Sequence, residues 1–303
     1  YEVKYISKIQ PQIYKGRYDT MKLRKLLCLV TAAVLAMGIA GCGQKNTATT
    51  DNNASESDVI KVGMECAYAP FNWTQSDDSN GAVKINGSSD YAGGYDVQIA
   101  KKISDSMGKK LEIVKTDWEG LLPALTSGKI DLIIAGMSAT KERKESIDFS
   151  DNYYTSDLVV VVKKDGPYAN AKTINDFKGA KLTGQLNTFH YTVLDQMEGI
   201  AKQTALEDFP TMTVALSSGK IDGYISERPG ALSAVATNPD LSFVEFGDEG
   251  NFTYDKDEVS IAVGVDKKNS DLTAKVNEAL AGISEDERQQ IMKDAIANQP
   301  SAE

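Results

Sequence analysis

Two nearly identical segments in different halves of the sequence constrain the fold most strongly. Residues 124–134 read ALTSGKIDLII, and residues 215–225 read ALSSGKIDGYI. Each predicts a helix that ends at Ser-Gly, where glycine can adopt the left-handed conformation that closes a helix, followed by a buried strand. Chance similarity between two ordinary helix–turn–strand units is the alternative. The repeat indicates two lobes of like construction.

Short apolar strands alternate with amphipathic helices along the chain, which predicts an α/β fold with a mostly parallel sheet. The predicted strands of the first half cover residues 59–64, 111–114 and 130–135, and its helices cover 95–107 and 119–126. The strands over 158–164 and 259–265 are expected to cross between the lobes. The last helices, over 272–283 and 285–297, are expected to pack on the first lobe. The predicted lobes are residues 58–160 with 256–303, and residues 161–255.

The N-terminal region is predicted to direct export. Residues 21–41 combine a basic start with an apolar run that is shorter than the roughly 20 residues of a membrane-spanning helix, as in a secretory signal peptide. The run ends in Ile-Ala-Gly before Cys42, which resembles a lipobox and predicts lipidation of that cysteine; a signal with a chance cysteine is the alternative. Residues 42–57 form a polar tether. Residues 1–20 are interpreted as an upstream extension that is not native.

Composition argues against several classes of function. The 43 acidic residues exceed the 33 basic ones, giving a formal net charge of -10, so no nucleic-acid partner is expected. A single histidine, His190, and three cysteines leave few ligands for a metal, and neither a metal site nor a cofactor is expected. Cys66 is the only cysteine after the tether, so no internal disulfide is expected.

The segments that follow the two repeated strands, residues 136–140 and 226–229, are expected to line one cleft, because ligands of such folds bind beyond the carboxyl ends of the strands. Arg143 could hold a carboxylate there, although one exposed cation among several is an equal alternative. Glu227 could hold an ammonium group or be a solvated acid at a helix start. His190 is expected to be a structural or rim residue, because the sequence offers it no obvious acid partner.

Several motifs together resemble the polar amino-acid solute-binding proteins of ABC importers, over about residues 59–297. The motifs are YAPF at 68–71, GYDV at 94–97, Trp118 followed by LPAL at 122–125, and AGMSATKER at 135–143. The resemblance implies two α/β lobes of the type II periplasmic-binding-protein kind, joined by two hinge strands, that close on a free L-amino acid. It also implies a monomer, lipid-anchored at the outer face of a Gram-positive cell membrane, that delivers its ligand to a permease with an ATPase subunit.

The family roles carry over by position. The resemblance implies that Arg143 binds the ligand carboxylate with Ser138 and Thr188, and that Glu227 binds the ammonium group with the carbonyl of Gly136. Tyr68 and Tyr95 would enclose the side chain, and Glu65 and Gln185 would meet its tip.

Two positions depart from the family pattern. Asn187 stands where the family mostly has glycine, and Glu227 is one methylene longer than the usual aspartate. The long polar stretch over residues 74–93 is expected to be a surface excursion of the first lobe.

The ligand is expected to be polar and possibly basic, because an unpaired buried carboxylate at Glu65 favours a cationic partner. The chain is expected not to be an enzyme. The sequence leaves two alternatives open: a fold-related enzyme, such as a dehydratase or lyase, and an amino-acid-binding sensor or adhesin.

Overall fold

The computed structural model describes residues 58–247 and 249–300. The predicted upstream extension, signal peptide and tether, with the lipidation site Cys42, lie outside the described residues. Within the described ranges, no helix is both long enough and apolar enough to cross a membrane.

The described chain alternates strands and helices over most of its length. The strands are β1 (Val59–Met64), β2 (Ala67–Tyr68), β3 (Asn72–Gln75), β4 (Val83–Lys84), β5 (Tyr91–Gly93), β6 (Lys110–Lys115), β7 (Leu132–Ile133), β8 (Asp148–Thr155), β9 (Leu158–Lys163), β10 (Lys181–Thr183), β11 (Ala201–Lys202), β12 (Gly223–Glu227), β13 (Leu241–Val244) and β14 (Ser260–Val265). The helices are α1 (Tyr95–Ser106), α2 (Trp118–Thr126), α3 (Lys141–Ser146), α4 (Phe189–Thr192), α5 (Phe209–Ser217), α6 (Arg228–Thr237), α7 (Ser270–Ala281) and α8 (Glu285–Asn298).

Two five-stranded sheets form the centres of two lobes. Their strand orders are β6-β1-β7-β14-β8 and β11-β10-β12-β9-β13. In each sheet the first three strands are parallel, and the last two pair antiparallel to their neighbours. The expectation of a two-lobed α/β fold is therefore confirmed.

The repeated segments form the same structure in both lobes. Helices α2 and α5 each lead into a glycine with positive φ, +73° at Gly128 and +74° at Gly219, as the Ser-Gly pattern predicts. The strand that follows α2 is shorter than expected, since β7 covers only Leu132–Ile133 and residues 135–136 already bend away from the sheet.

The aspartate of each repeat joins the new strand to its neighbour. In the first lobe, Lys61 donates its backbone N–H to Asp131 Oδ2 and accepts from the Asp131 N–H, both at 2.8 Å. In the second lobe, Lys181 and Asp222 make the same two bonds, again at 2.8 Å. The Lys-Ile-Asp pattern thus fixes where a central parallel pair begins in each sheet.

The chain passes between the sheets twice, and the two passages lie side by side. It leaves the first sheet after β8 and enters β9 through residues 156–157, and it returns between β13 and β14. Ser156 donates its N–H to the carbonyl of Val259 at 3.2 Å, which joins the outgoing passage to the returning one. The strands expected to cross lie instead within single sheets, because β9 pairs along its length with β12 and β13.

Strand β9 is apolar on both faces, which fits its position in the interior of the second sheet, between β12 and β13. Successive side chains point to opposite faces of a strand. Val159 and Val161 join a core that continues into the first lobe, whereas Leu158, Val160 and Val162 join a separate core on the far face.

The polar stretch over residues 74–93 is an ordered part of the first lobe. Strands β2, β3, β5 and β4 form a small antiparallel sheet in that order. Buried Ile85 pairs with Ile113 of β6, and Lys101 of α1 donates to the carbonyl of Gly81 at 3.1 Å. The stretch therefore extends the outer edge of the first sheet.

The C-terminal helices pack on the first lobe, as expected. Lys102 of α1 pairs with Glu287 of α8 at 2.5 Å, and Arg288 donates to the carbonyl of Asn152 in β8 at 2.9 Å. The end of α8 also meets the second lobe, where Gln299, the residue after the helix, donates to the carbonyl of Ser233 at 3.2 Å.

Candidate functional site

Four of the expected site residues converge where strands of the two sheets end. Glu65 follows β1 and Ser138 follows β7 in the first lobe, while Gln185 follows β10 and Glu227 ends β12 in the second. All four are buried, with Glu227 only 1% exposed. The carboxyl ends of parallel strands from both lobes thus place polar groups at one buried position.

Tyr68 connects the lobes at the centre of this position. Its hydroxyl donates to Glu227 Oε2, and its ring stacks on Phe209 of α5 with the centroids 4.2 Å apart. Gly136 lies against the same ring, because a Cβ on Gly136 would be 2.8 Å from Tyr68 Cε1. Glycine is therefore required at residue 136, both by this close approach and by its φ of +60°.

The carboxyl group of Glu227 is buried away from solvent. It is the N-cap residue of α6, and burial raises the pKa of its side chain to about 8. At neutral pH the group is therefore largely protonated, and a cation bound against it would stabilise the ionised form. This favours recognition of an ammonium group.

His190 of α4 lies beside Glu227, contrary to the expectation that it has no acid partner. Its Nε2 is 3.1 Å from Glu227 Oε1, but the two atoms are not aligned as a hydrogen bond, and neither ring nitrogen has a partner among the described residues. Burial lowers the pKa of His190 to about 3, and the nearby charge of Arg143 lowers it further. The ring is therefore neutral.

Arg143 lies in α3, whose N-cap Thr140 accepts from the Arg143 N–H at 3.3 Å. The half-buried guanidinium donates to the carbonyls of Ser138 at 3.0 Å and of Asn187, from the second lobe, at 3.2 Å. It also lies 5.0 Å from the ring centre of Trp118. Desolvation lowers the pKa of Arg143 to about 10, so the group stays charged at neutral pH.

A cavity of about 780 Å³ adjoins this guanidinium. It is lined by residues of α2, α3 and α4 and of the loops that precede α3 and α4, among them Trp118, Met137, Arg143, Leu186, Thr188 and Phe189. Two of the expected site residues, Arg143 and Thr188, therefore face one open space between the lobes.

Glu65 and Gln185 meet across the lobes. Gln185 Nε2 donates to Glu65 Oε1 at 3.2 Å and to the carbonyl of Glu207 at 3.1 Å. Glu65 Oε2 is buried with no partner among the described residues. Burial raises the pKa of Glu65 to about 7. The pair thus offers an unsatisfied acceptor, which suits a polar or cationic group.

The loop after β10 has a left-handed backbone at residue 187, although asparagine stands there instead of the family's glycine. Asn187 has a φ of +53°, and its Nδ2 donates to Glu119 Oε2 of α2 at 2.7 Å. Thr188 Oγ1 donates to the carbonyl of Gln185 at 2.8 Å, which closes the turn. Asparagine thus takes the left-handed backbone in place of glycine.

Tyr95 does not lie opposite Tyr68, where the sequence places it. It is fully buried in the first lobe, donates its hydroxyl to the carbonyl of Tyr153 at 2.9 Å, and packs edge-on against Phe71. Tyr95 is the first residue of α1 and belongs to the buried face of that helix, so its ring points into the core. The ring that stacks on Tyr68 is Phe209.

Sequence reasoning missed three side chains of the site: Trp118, Phe209 and His190. Trp118 lies in a quoted family motif, and His190 is the only histidine, so both carried a signal. Phe209 follows Asp208, the side-chain cap of α5, in a segment with no motif of its own. Its role depends on the approach of the two lobes, which no local pattern encodes.

A buried hydrogen-bond chain supports the site from behind. The Gly136 N–H donates to the Tyr153 hydroxyl at 3.3 Å, and that hydroxyl donates to Asp96 Oδ1 at 2.8 Å. Asn72 Nδ2 donates to Asp96 Oδ2 at 2.8 Å. Burial raises the pKa of Asp96 to about 6. These hydrogen bonds fix the backbone of Gly136, which approaches the ring of Tyr68.

The fold and the site define a two-lobed binding protein whose ligand site lies between the lobes, and comparison with known proteins identifies its family. Residues 60–297 match the bacterial extracellular solute-binding proteins, family 3. The chain belongs to this family, as the sequence motifs implied.

Individual relatives agree with this assignment. The chain is 30% identical over 256 residues to a probable histidine-binding protein of Campylobacter jejuni, covering 82% of this chain and 93% of that protein. It is 31% identical over 270 residues to the L-cystine-binding protein TcyJ of Escherichia coli, covering 88% and 94%.

Solved structures give the same result. An amino acid ABC transporter substrate-binding protein from Streptococcus pneumoniae bound to L-arginine matches with a TM-score of 0.70 and 28% identity, covering 80% of this chain and 95% of that one. An ancestral arginine-binding protein bound to glutamine matches with a TM-score of 0.63 and 30% identity, covering 78% and 96%.

Replacing Tyr153 with phenylalanine tests the supporting hydrogen-bond chain. The change removes the phenol that donates to a buried oxygen of Asp96, so we expect Tyr153→Phe to lower the free energy of unfolding by about 1–3 kcal/mol. Urea denaturation measures this. Tyr154→Phe is the matched control, since no hydrogen bond of the Tyr154 hydroxyl is found among the described residues. Equal effects of the two substitutions would contradict the supporting role.

Proposed function

We propose that the chain is the substrate-binding protein of an amino-acid ABC importer, which binds a free amino acid between its lobes and delivers it to a membrane permease. The observation that carries the proposal is that a guanidinium from the first lobe, Arg143, and a buried carboxyl group from the second lobe, Glu227, both lie near His190. An α-amino acid carries one group of each charge. Bridging both lobes with a single ligand would stabilise the closed form.

The carboxylate of the ligand is assigned to the first lobe. Arg143 presents a planar set of N–H donors, which suits a carboxylate held by two hydrogen bonds. Its present acceptors are the backbone carbonyls of Ser138 and Asn187, and a carboxylate is a stronger acceptor than either. The hydroxyl of Ser138 would add a donor, and that of Thr188 would add another by turning away from the carbonyl of Gln185. The ammonium group is assigned to Glu227 and to the carbonyl of Gly136.

The side chain of the ligand is assigned to the position of Tyr68, Phe209 and Glu65, whose two rings are in contact in this structure and would separate to admit it. Tyr68 and Phe209 supply apolar surface from the two lobes, and Glu65 lies at the far end with one unsatisfied oxygen. A buried carboxylate is costly unless it is paired, which favours a cationic or strongly polar tip. We therefore propose a polar or basic L-amino acid, in the range of the arginine, histidine and glutamine named for the relatives.

The setting proposed for the protein follows from the sequence and the family. Cys42 would carry the lipid, residues 42–57 would act as the tether, and the protein would be a monomer at the outer face of a Gram-positive cell membrane. A permease with an ATPase subunit would be its partner. We propose binding without turnover, so the ligand should be recovered chemically unaltered; a chemical change would favour a fold-related dehydratase or lyase.

Removing the guanidinium tests the proposed function. Calorimetric titration with the twenty amino acids, ornithine and cystine identifies the ligand of the wild-type chain. Arg143→Ala should weaken its binding by about 2–5 kcal/mol, because it leaves a buried carboxylate without its partner. Lys144→Ala is the control, since Lys144 lies on the same helix but pairs with Asp257 at 2.7 Å. Binding by Arg143→Ala within tenfold of wild type would contradict the assignment.

The pH dependence of binding tests the two carboxyl groups. Burial raises the pKa of Glu227 to about 8 and of Glu65 to about 7, so both are largely protonated at pH 6. A ligand cation binds the ionised form and lowers each pKa. Affinity for a basic amino acid should therefore rise from pH 6 to pH 8, with release of up to about two protons at the lower pH.

Glu65→Gln separates the two contributions. With a basic ligand, this variant should release about one proton fewer than wild type, because only Glu227 then ionises. Calorimetry in buffers of different ionisation enthalpy counts the protons. Affinity that is constant or falls over this pH range would show that the carboxyl groups do not bind ligand cations.

A further inference from the structure

The only histidine of the sequence lies in the ligand site with no hydrogen-bond partner among the described residues. His190 is 7% exposed, and both of its ring nitrogens are buried. Its ring meets Phe209 edge-on at 5.6 Å, with an interplanar angle of 86°. Buried polar groups in native proteins are nearly always paired, so an unpaired imidazole at a ligand site points to a partner supplied by the ligand.

Burial and the charge of Arg143 keep this ring neutral. The groups that face it are Glu227 at the end of β12, Arg143 from α3, and Tyr68 from the first lobe through its bond to Glu227. Burial and the Arg143 charge both oppose protonation, and together they lower the pKa of His190 to about 3. A neutral imidazole has one donor nitrogen and one acceptor nitrogen. One nitrogen can therefore accept a hydrogen bond.

Tyr68 determines which oxygen of Glu227 remains for the ligand. Its hydroxyl takes Oε2, and the other oxygen, Oε1, lies 3.1 Å from His190 Nε2. When Glu227 is ionised, both atoms are acceptors and make no hydrogen bond to each other. A single nitrogen at ordinary hydrogen-bond distance can reach both. A cation that binds Glu227 Oε1 therefore lies within reach of the imidazole.

We propose that His190 is a specificity-determining residue: its Nε2 accepts a second hydrogen bond from the ligand ammonium group beside Glu227. The inference rests on the proposed function, since it adds an acceptor to the ammonium site proposed there. With Glu227, the carbonyl of Gly136 and His190, the site offers three acceptors. A primary ammonium group has three N–H donors, whereas an N-methylated one has two. The site therefore selects primary amines.

The single histidine allows a direct test by NMR of the full chain labelled with 15N in histidine. The probes are L-arginine, L-histidine and L-glutamine. Binding should shift the Nε2 signal of His190 while Nδ1 keeps its proton, which identifies Nε2 as the acceptor. A bound ligand that leaves the Nε2 signal unmoved would overturn the inference, and this measurement needs no variant to fold.

Variants test the selectivity. Wild type should bind each probe at least about tenfold more tightly than its Nα-methyl derivative, since one of the three acceptors then loses its donor. His190→Leu should lower affinity for the parent amino acids and bring this ratio close to one. His190→Gln, which keeps an acceptor, should restore part of the ratio. Tyr224→Phe removes a buried hydroxyl that pairs with Thr213 in the same lobe and serves as the control.

The outcomes distinguish this inference from the function on which it rests. An unchanged ratio in His190→Leu, with the parent amino acids still bound, would overturn the role of His190 alone. Failure of the wild-type chain to bind any of the three probes would overturn the proposed ligand class and the inference with it.

Discussion

Desolvation of carboxyl groups at the lobe boundary is the constraint on which the rest of the site depends. Glu65 and Glu227 are buried where the two sheets meet, and burial raises both pKa values to about 7 and about 8. A carboxylate in such surroundings is stable only with a cationic partner. The partners now present are neutral, an amide for Glu65 and a phenol for Glu227. A ligand cation would supply the charged partner that these two carboxyl groups lack.

The fold places these groups by repeating one unit. In each lobe a helix closes on a left-handed glycine, and an aspartate then joins the new strand to its neighbour with two bonds of 2.8 Å. The strands end at the site in both lobes. The two passages between the sheets are themselves hydrogen-bonded, from Ser156 to Val259. Movement of one lobe against the other would thus be confined to a narrow pair of segments, which suits closure on a small ligand.

Much of this could be predicted from sequence, because it is encoded locally. The helix–turn–strand repeat and the family motifs each depend on a few neighbouring residues. Tyr95 was placed wrongly because a motif gives its position along the chain but not the direction in which α1 faces. Phe209 and the neighbourhood of His190 and Glu227 were missed because they form only when distant segments meet. Contacts between lobes carry no local signal.

The most direct test of the central claim is calorimetric titration of the wild-type chain with its tightest amino acid, the α-amide of that amino acid, and its des-amino analogue. One charged end of the ligand is assigned to each lobe. Loss of either charged group should therefore weaken binding by about 100-fold or more, equivalent to about 2.7 kcal/mol. Binding of the amide or the des-amino analogue within tenfold of the parent would contradict this assignment.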